Sequence, residues 1–239
     1  MSITLITYTD RNMTISATRC VNTAIKNGVD QAVIYTPDMV NHDFKVKNQS
    51  VWDNPRGCGL WIWKSWCCMD MALTMNENDI LIWSDAGCEW VNSVHYIVDR
   101  MDEDIFLFTN TFKQVEWTKG LVMDEILPEW RDGRYDNNMQ VQASLIFFRI
   151  NQKTKDFIKR WLCYCQMPEM LTPANKTDKD FPTYAAHRED QSILSALQIK
   201  DGYKLHWYPS ATGHHVHQHT PSDHYPHLIN HHRRRNNEW

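Results

Sequence analysis

The sequence predicts an α/β fold, a single domain with a mostly parallel central sheet flanked by helices. Three observations predict it. A strand–helix–strand pattern runs from Ile3 to Tyr35, and such a unit closes right-handed with its strands parallel. Ile80 to Trp83 is a short, wholly apolar run, as expected of a strand buried on both faces. That run ends abruptly in Ser84-Asp85-Ala86-Gly87, so the chain leaves the sheet at a carboxylate. In open α/β sheets, ligands bind beyond the carboxyl ends of the strands.

Each element has its own signal. Ile3 to Tyr8 is β-rich and reads as a central strand, with Thr9-Asp10-Arg11-Asn12 as the loop at its end. Thr14 to Lys26 carries Ile15, Cys20, Val21, Ala24 and Ile25 at helical spacing, and Asn27-Gly28 ends it. Gln31 to Tyr35 is the second strand. There is no G-x-G-x-x-G after the first strand, so the dinucleotide fingerprint is absent. Asn41 to Asn54 is polar and reads as irregular. Arg56 to Trp66 leads into a helix through Leu73, and Val91 to Met101 reads as helical.

Further along, Ile105 to Thr109 is a strand and Lys113 to Leu127 holds a helix. Gln140 to Ile150 is a buried strand opened by two Gln and the small pair Ala143-Ser144. Lys153 to Gln166 is an amphipathic helix with Phe157, Ile158, Trp161, Leu162 and Cys165 on one side. Met167 to Tyr184 reads as a surface loop. A helix starts at His187–Ser192 and runs through Gln198, and Leu205 to Tyr208 is an edge strand. Eight of the twelve His follow between His214 and His232, ahead of Arg233-Arg234-Arg235. Such an end is either a solvated tail or a closing segment that binds metal or phosphate.

Composition narrows the classes. At 239 residues, 42% hydrophobic and 23% charged, the chain is an ordinary globular protein able to bury a sizeable core. A net charge of -4 gives no electrostatic case for nucleic acid. Eleven Trp fill a core or line a sugar-handling cleft. Seven Cys, an odd number that includes the adjacent Cys67-Cys68, with no signal peptide, point to reduced thiols in a cytosol-like, cytoplasmic compartment. No apolar run reaches the roughly 20 residues that span a bilayer, so any membrane association is expected to be peripheral.

Two stretches carry chemistry. Asp85, with Glu89 four residues on, either holds a divalent cation through hard oxygen ligands or caps the following turn. Gly57 and Gly59, flanked by Arg56 and Lys64, either bring backbone amides and two cations to a phosphate or form a loop whose Trp residues pack on the sheet.

The stretches Arg56–Lys64, Asp79–Glu89, Glu116–Lys119, Gln140–Ser144 and His187–Ser192 run in this order, and with them the sequence resembles the small GT-A-fold glycosyltransferases of bacterial capsule clusters and large DNA viruses. The resemblance covers roughly residues 1 to 210. It implies a GT-A-like, Rossmann-like single domain over residues 1–239: a donor-binding half to about residue 110, an acceptor-side half to about 210, and the His/Arg-rich closing segment after it. It implies a nucleotide-diphosphate sugar as donor, UDP-linked by preference, a glycan or other hydroxyl as acceptor, and Mn²⁺ or Mg²⁺ as cofactor. Asp85-Ala86-Gly87 occupies the place of the family's D-x-D motif, with Gly87 where the second acid would stand. Glu89, His214 and His215 are the candidates to complete the metal site.

The resemblance also assigns roles. Thr7, Tyr8 and Asp10 are expected to meet the nucleoside, Arg56, Lys64, Asp85, Ala86 and Gly87 the rest of the donor. Gln140, Gln142, Ser144, Glu189 and Gln191 are expected at the donor–acceptor junction. Asp190 is expected to act as the general base of an inverting transfer. Two readings stand beside this one: a sugar-nucleotide hydrolase or nucleotidyltransferase on a similar sheet, and a non-catalytic nucleotide- or carbohydrate-binding protein.

Overall fold

The structure is a computed structural model that describes residues 1–210 and 225–239. Six strands form its main sheet: β1 (Ile3–Tyr8), β2 (Gln31–Tyr35), β3 (Ile80–Ser84), β5 (Ile105–Lys113), β6 (Met139–Arg149) and β7 (Leu205–Trp207). Two short strands, β4 (Cys88–Trp90) and β8 (Ile229–His231), pair antiparallel beside it. The spatial order of the main sheet is β2-β1-β3-β6-β5-β7. Only β6 runs against its neighbours. Four helices of thirteen or fourteen residues cover the sheet: α1 (Thr14–Lys26), α2 (Ile62–Thr74), α3 (Gln152–Cys165) and α4 (Glu189–Asp201).

Successive side chains of a strand face opposite sides of the sheet, and β3 shows the result. Leu81 and Trp83 join the core under α2, α3 and α4, whereas Ile80 and Ile82 join the core under α1. Both cores are apolar, which is why β3 reads as an uninterrupted hydrophobic run rather than an alternating one. α1 turns Cys20 and Ala24 inward, and α3 turns Phe157, Ile158, Trp161 and Cys165. Asn151 caps α3, its side chain accepting from the Thr154 amide at 2.8 Å.

The reversal of β6 fixes which of its residues reach the ligand-binding edge of the sheet. Ser84 pairs with Leu145, and the Asp85 amide donates to the Ser144 carbonyl at 2.8 Å. The first half of β6 therefore lies at the same edge as the carboxyl ends of β1 and β3, and Gln142, Ala143 and Ser144 stand next to Asp85.

Several elements differ from expectation. Asn41–Asn54, read as irregular, contains helices at His42–Lys47 and Gln49–Trp52, the first capped by Asn41. Within Val91–Met101 only His95–Val98 is helical, because the Val91 and Asn92 amides that follow β4 donate to the Leu228 carbonyl and the Val94 amide to that of Asn27. The expected helix in Lys113–Leu127 is confined to Gly120–Ile126, since β5 continues to Lys113. In the expected loop, Pro168–Leu171 is one helical turn. No described helix is long and apolar enough to cross a membrane.

Candidate active site

A cleft of about 760 Å³ opens at the carboxyl ends of β1 and β3, in the size range of small-molecule sites. Its walls come from residues 8–13, 55–64, 83–87, 142–144, 188–191 and 231–235. The sequence separates these segments by more than two hundred residues, and the sheet edge gathers them.

The centre of the cleft is Lys64, in the first turn of α2. Its ammonium lies 3.3 Å from Asp85 Oδ1, 3.3 Å from Asp190 Oδ2 and 3.0 Å from the Ala143 carbonyl. Lys64 is 3% exposed, and a buried ammonium is costly unless paired. Burial alone would lower its pKa, but the two carboxylates overcome it and raise it to about 12. Asp190, at the start of α4, goes the other way. Burial pushes its pKa up to about 7, helped by the charges of Asp85 and Glu189 and opposed by Lys64. Asp190 is thus poised to take or give a proton near neutral pH. Beside it, Glu189 is also raised by burial, against the pull of Arg56, whose Nε donates to it at 2.7 Å.

Asp85 leaves β3 half-buried, its Oδ1 also accepting from Trp83 Nε1 at 2.9 Å. Trp83 belongs to an aromatic floor. Tyr8 stacks on Trp63 with centroids 3.8 Å apart, and Trp63 meets Trp83 at 5.7 Å. Lys64 sits over Trp83, 5.5 Å from its centroid.

The Arg56–Lys64 stretch adopts a conformation that its two glycines do not by themselves reveal. Gly57, Cys58, Gly59, Leu60 and Trp61 have φ of 59°, 50°, 98°, 52° and 59°, one turn of left-handed helix. Outside glycine this conformation costs about 1–2 kcal/mol per residue. Of the six non-glycine residues with positive φ among the described residues, Cys58, Trp61, Glu189 and Arg233 line the cleft. Such strain persists only where surrounding structure imposes it and clusters at functional sites. Of the two readings of this stretch, three of its amides bear on the phosphate cradle. The amides of Gly59, Leu60 and Trp61 donate to the carbonyls of Asn54, Arg56 and Gly57. Instead the turn aims Cys58 Sγ at Asp10 Oδ2, 3.1 Å away.

Of the expected donor residues, Tyr8, Asp10, Arg56, Lys64, Asp85, Ala86 and Gly87 line the cleft, as do Gln142, Ser144, Glu189, Asp190 and Gln191. Three expected residues do not. Thr7 is fully buried within β1, facing the sheet interior. Gln140 is fully buried too, donating to the Trp117 carbonyl and accepting from Gln191, so it braces the cleft wall from behind. Glu89 lies on β4 and pairs with Arg19 of α1 at 2.5 Å, in a separate groove beside Trp239. The alternation of a short strand turns it away from Asp85. His214 and His215 fall outside the described residues.

These placements do not fit a resident divalent cation among the described residues. Asp85 is engaged by Lys64 and Trp83, Glu89 is on the other groove, and position 87 is closed to a second acid. A Cβ there would come within 2.8 Å of Arg233 Cα and 2.9 Å of its nitrogen. No group of three His, Cys, Asp or Glu side chains converges among the described residues.

The same contact docks side chains of the His- and Arg-rich end, read in the sequence as a solvated tail or a metal- or phosphate-binding segment, at a place the sequence did not indicate. The amides of His232 and Arg233 donate to the Gly87 carbonyl at 2.9 and 3.3 Å, which brings His231, Arg233 and Arg235 to the cleft rim. The arginine run was visible in the sequence, but the three-residue strands β4 and β8 that dock it carry no periodic signal. Arg188 was likewise overlooked. It lies over Trp117 at 4.3 Å, with its pKa lowered by burial.

No family model matches the chain, and no curated protein matches it in sequence. Solved structures are similar to it in fold. One is the WbbM bifunctional glycosyltransferase in its apo form, at 11% identity, over 82% of this chain and 37% of that one, with a TM-score of 0.48. Mouse xyloside xylosyltransferase 1, also apo, is similar at 7% identity over 86% and 84%, with a TM-score of 0.47. The galactosyltransferase LgtC, in complex with donor and acceptor sugar analogs, is similar at 12% identity over 82% and 70%, with a TM-score of 0.45. The chain spans little more than a third of WbbM. Likenesses this loose are of architecture alone, and the chemistry of the cleft rests on its own side chains.

Proposed function

We propose that the protein is a glycosyltransferase that moves a sugar from a nucleotide-diphosphate sugar, UDP-linked by preference, to a hydroxyl of a glycan or other acceptor, with inversion. One observation carries the reading: a buried lysine bridges a carboxylate at the end of β3 and a second, near-neutral carboxylate at the start of α4, inside a cleft with an aromatic floor and an arginine rim. The donor takes the side of β1, β3 and the 55–64 turn. The acceptor takes the side of Gln142, Ser144 and Gln191.

In this reading the acceptor hydroxyl oxygen attacks the anomeric carbon and its proton passes to Asp190. The bond from that carbon to the phosphate oxygen breaks, and its electron pair leaves with the nucleoside diphosphate. A base with a pKa near 7 suits such a proton transfer, a contribution of about 10²–10⁴ in rate. Lys64 keeps Asp85 and Asp190 in register, and Trp63 and Trp83 exclude water from beneath them.

The test is a panel of nucleotide sugars and hydroxyl acceptors followed by mass spectrometry. Transfer is expected with at least one pair, and Asp190→Asn is expected to lower its rate by about 10²-fold or more while the protein still unfolds in one cooperative step. Release of free sugar with no transfer to any acceptor would make the protein a hydrolase. Binding without turnover would make it a carbohydrate- or nucleotide-binding protein.

A further inference from the structure

We infer, resting on the donor reading above, that the arginines of the closing segment receive the donor's diphosphate, in the place a divalent cation would take. Arg233 is the central residue and Arg235 its companion. Three features of the cleft point there.

The first is the distribution of charge. Five cationic side chains and four carboxylates line the cleft, yet the cations are not equivalent. Lys64 is shared by Asp85 and Asp190, and Arg56 is held by Glu189. Arg188, Arg233 and Arg235 form no ion pair among the described residues; Arg188 lies half-buried against Trp117, whereas Arg233 and Arg235 stand exposed on the rim. A nucleoside diphosphate ester carries two negative charges, and further charge develops on it as the sugar departs. Fixed guanidinium groups stabilise that change without reorganising.

The second is the way Arg233 is held. Its backbone bonds the Gly87 carbonyl, and its φ of 56° is left-handed, a strain that the contact with Gly87 imposes. Its Nε donates to His231 Nε2 at 3.2 Å, His231 Nδ1 meets the Tyr208 hydroxyl at 2.9 Å, and that hydroxyl meets Ser144 Oγ at 2.7 Å. This buried relay braces the guanidinium from behind. Its two terminal nitrogens make no hydrogen bond among the described residues, and they form the planar fork that phosphate accepts in bidentate fashion.

The third is steric. The backbone that carries Arg233 fills the space a side chain at position 87 would need. The docking that supplies the guanidinium is therefore the same docking that removes the second acid of a D-x-D site.

The experiment is calorimetric titration of the full chain with UDP, GDP, ADP and CDP, once in EDTA and once in Mn²⁺. At least one diphosphate is expected to bind in EDTA, with an affinity within about threefold of that in Mn²⁺. Arg233→Ala is expected to weaken that binding by about tenfold or more in both buffers, and Arg233→Lys by less, since it keeps the charge and loses the fork. Melting curves of both variants check the fold. Binding that appears only with Mn²⁺, or that survives Arg233→Ala unchanged, overturns the arginine assignment and leaves the donor reading standing. Failure of all four diphosphates to bind in either buffer overturns both.

Discussion

Two lysines, Lys64 and Lys119, are buried to nearly the same degree, at 3% and 6% exposure, and the protein treats them in opposite ways. Lys64 lies between two carboxylates and has its pKa raised to about 12. Lys119, at the start of the helix Gly120–Ile126, donates to the Thr172 carbonyl at 2.6 Å and forms no ion pair among the described residues. Burial lowers its pKa to about 8, and the more distant Glu169, Asp180 and Glu189 offset this only in part. Depth alone does not decide the charge of a buried amine; what faces it does. A lysine that keeps its proton while two acids share it is a feature of a site, whereas one tied to a carbonyl serves the wall around it.

Replacing Lys64 with Met tests the contrast hardest. It leaves Asp85 and Asp190 facing each other without a cation, and breaking a buried ionic cluster costs about 3–5 kcal/mol. Urea unfolding is expected to show a loss of that size, and Lys64→Met combined with Asp190→Asn to recover part of it. A loss below about 1 kcal/mol, the range of exposed pairs, would mean that the ammonium does not hold the carboxylates together.

Asp190→Asn comes next and is read through pH. The folded pKa of Asp190, about 7, lies above its ordinary 3.8, so the folded state holds a proton that the unfolded state has already lost. This contribution is complete below about pH 4 and disappears as pH rises through about 7. Unfolding midpoints across that window are expected to fall with pH in the native protein and to flatten in Asp190→Asn. An identical slope in both would place the titration elsewhere.

Lys119→Met is expected to have a smaller effect, of opposite sense to Lys64→Met. With a folded pKa near 8 against an ordinary 10.5, Lys119 makes the unfolded state bind more protons between those values. Stability from this residue is lowest below about pH 8 and rises as pH approaches 10.5. The variant should lose that rise and match or exceed the native protein at pH 7 in the same urea assay. A large loss at pH 7 would mean that the bond to Thr172 outweighs burial.

Glu89→Gln should do least. Its partner Arg19 is half exposed, and such pairs contribute up to about 1 kcal/mol, less at high salt. Sugar transfer should be unchanged, because Glu89 faces the groove beside Trp239. A loss of transfer would return Glu89 to the donor site.

The sheet was largely legible before folding. The β-rich runs at Ile3–Tyr8, Ile80–Trp83 and Gln140–Ile150 are buried on both faces along most of their length, as their apolar and β-branched residues announce. The site was legible where chemistry-bearing residues lie at strand ends or helix starts, as Asp85, Gln142, Lys64 and Asp190 do. It was illegible where position depends on pairing between distant short strands. Glu89 and His231 each sit in a strand of three residues, too short for alternation to announce a face. Five consecutive left-handed residues, two of them glycine, lie outside what propensity can anticipate, because the surrounding cleft imposes them.

Gly87 has a consequence for how such a cleft can change over generations. Any side chain at that position, however small, must displace the backbone of Arg233. A descendant acquiring an acid there would lose the guanidinium before its new carboxylate had a partner. On the arginine reading inferred above, a side chain at position 87 and the docked backbone of Arg233 exclude one another.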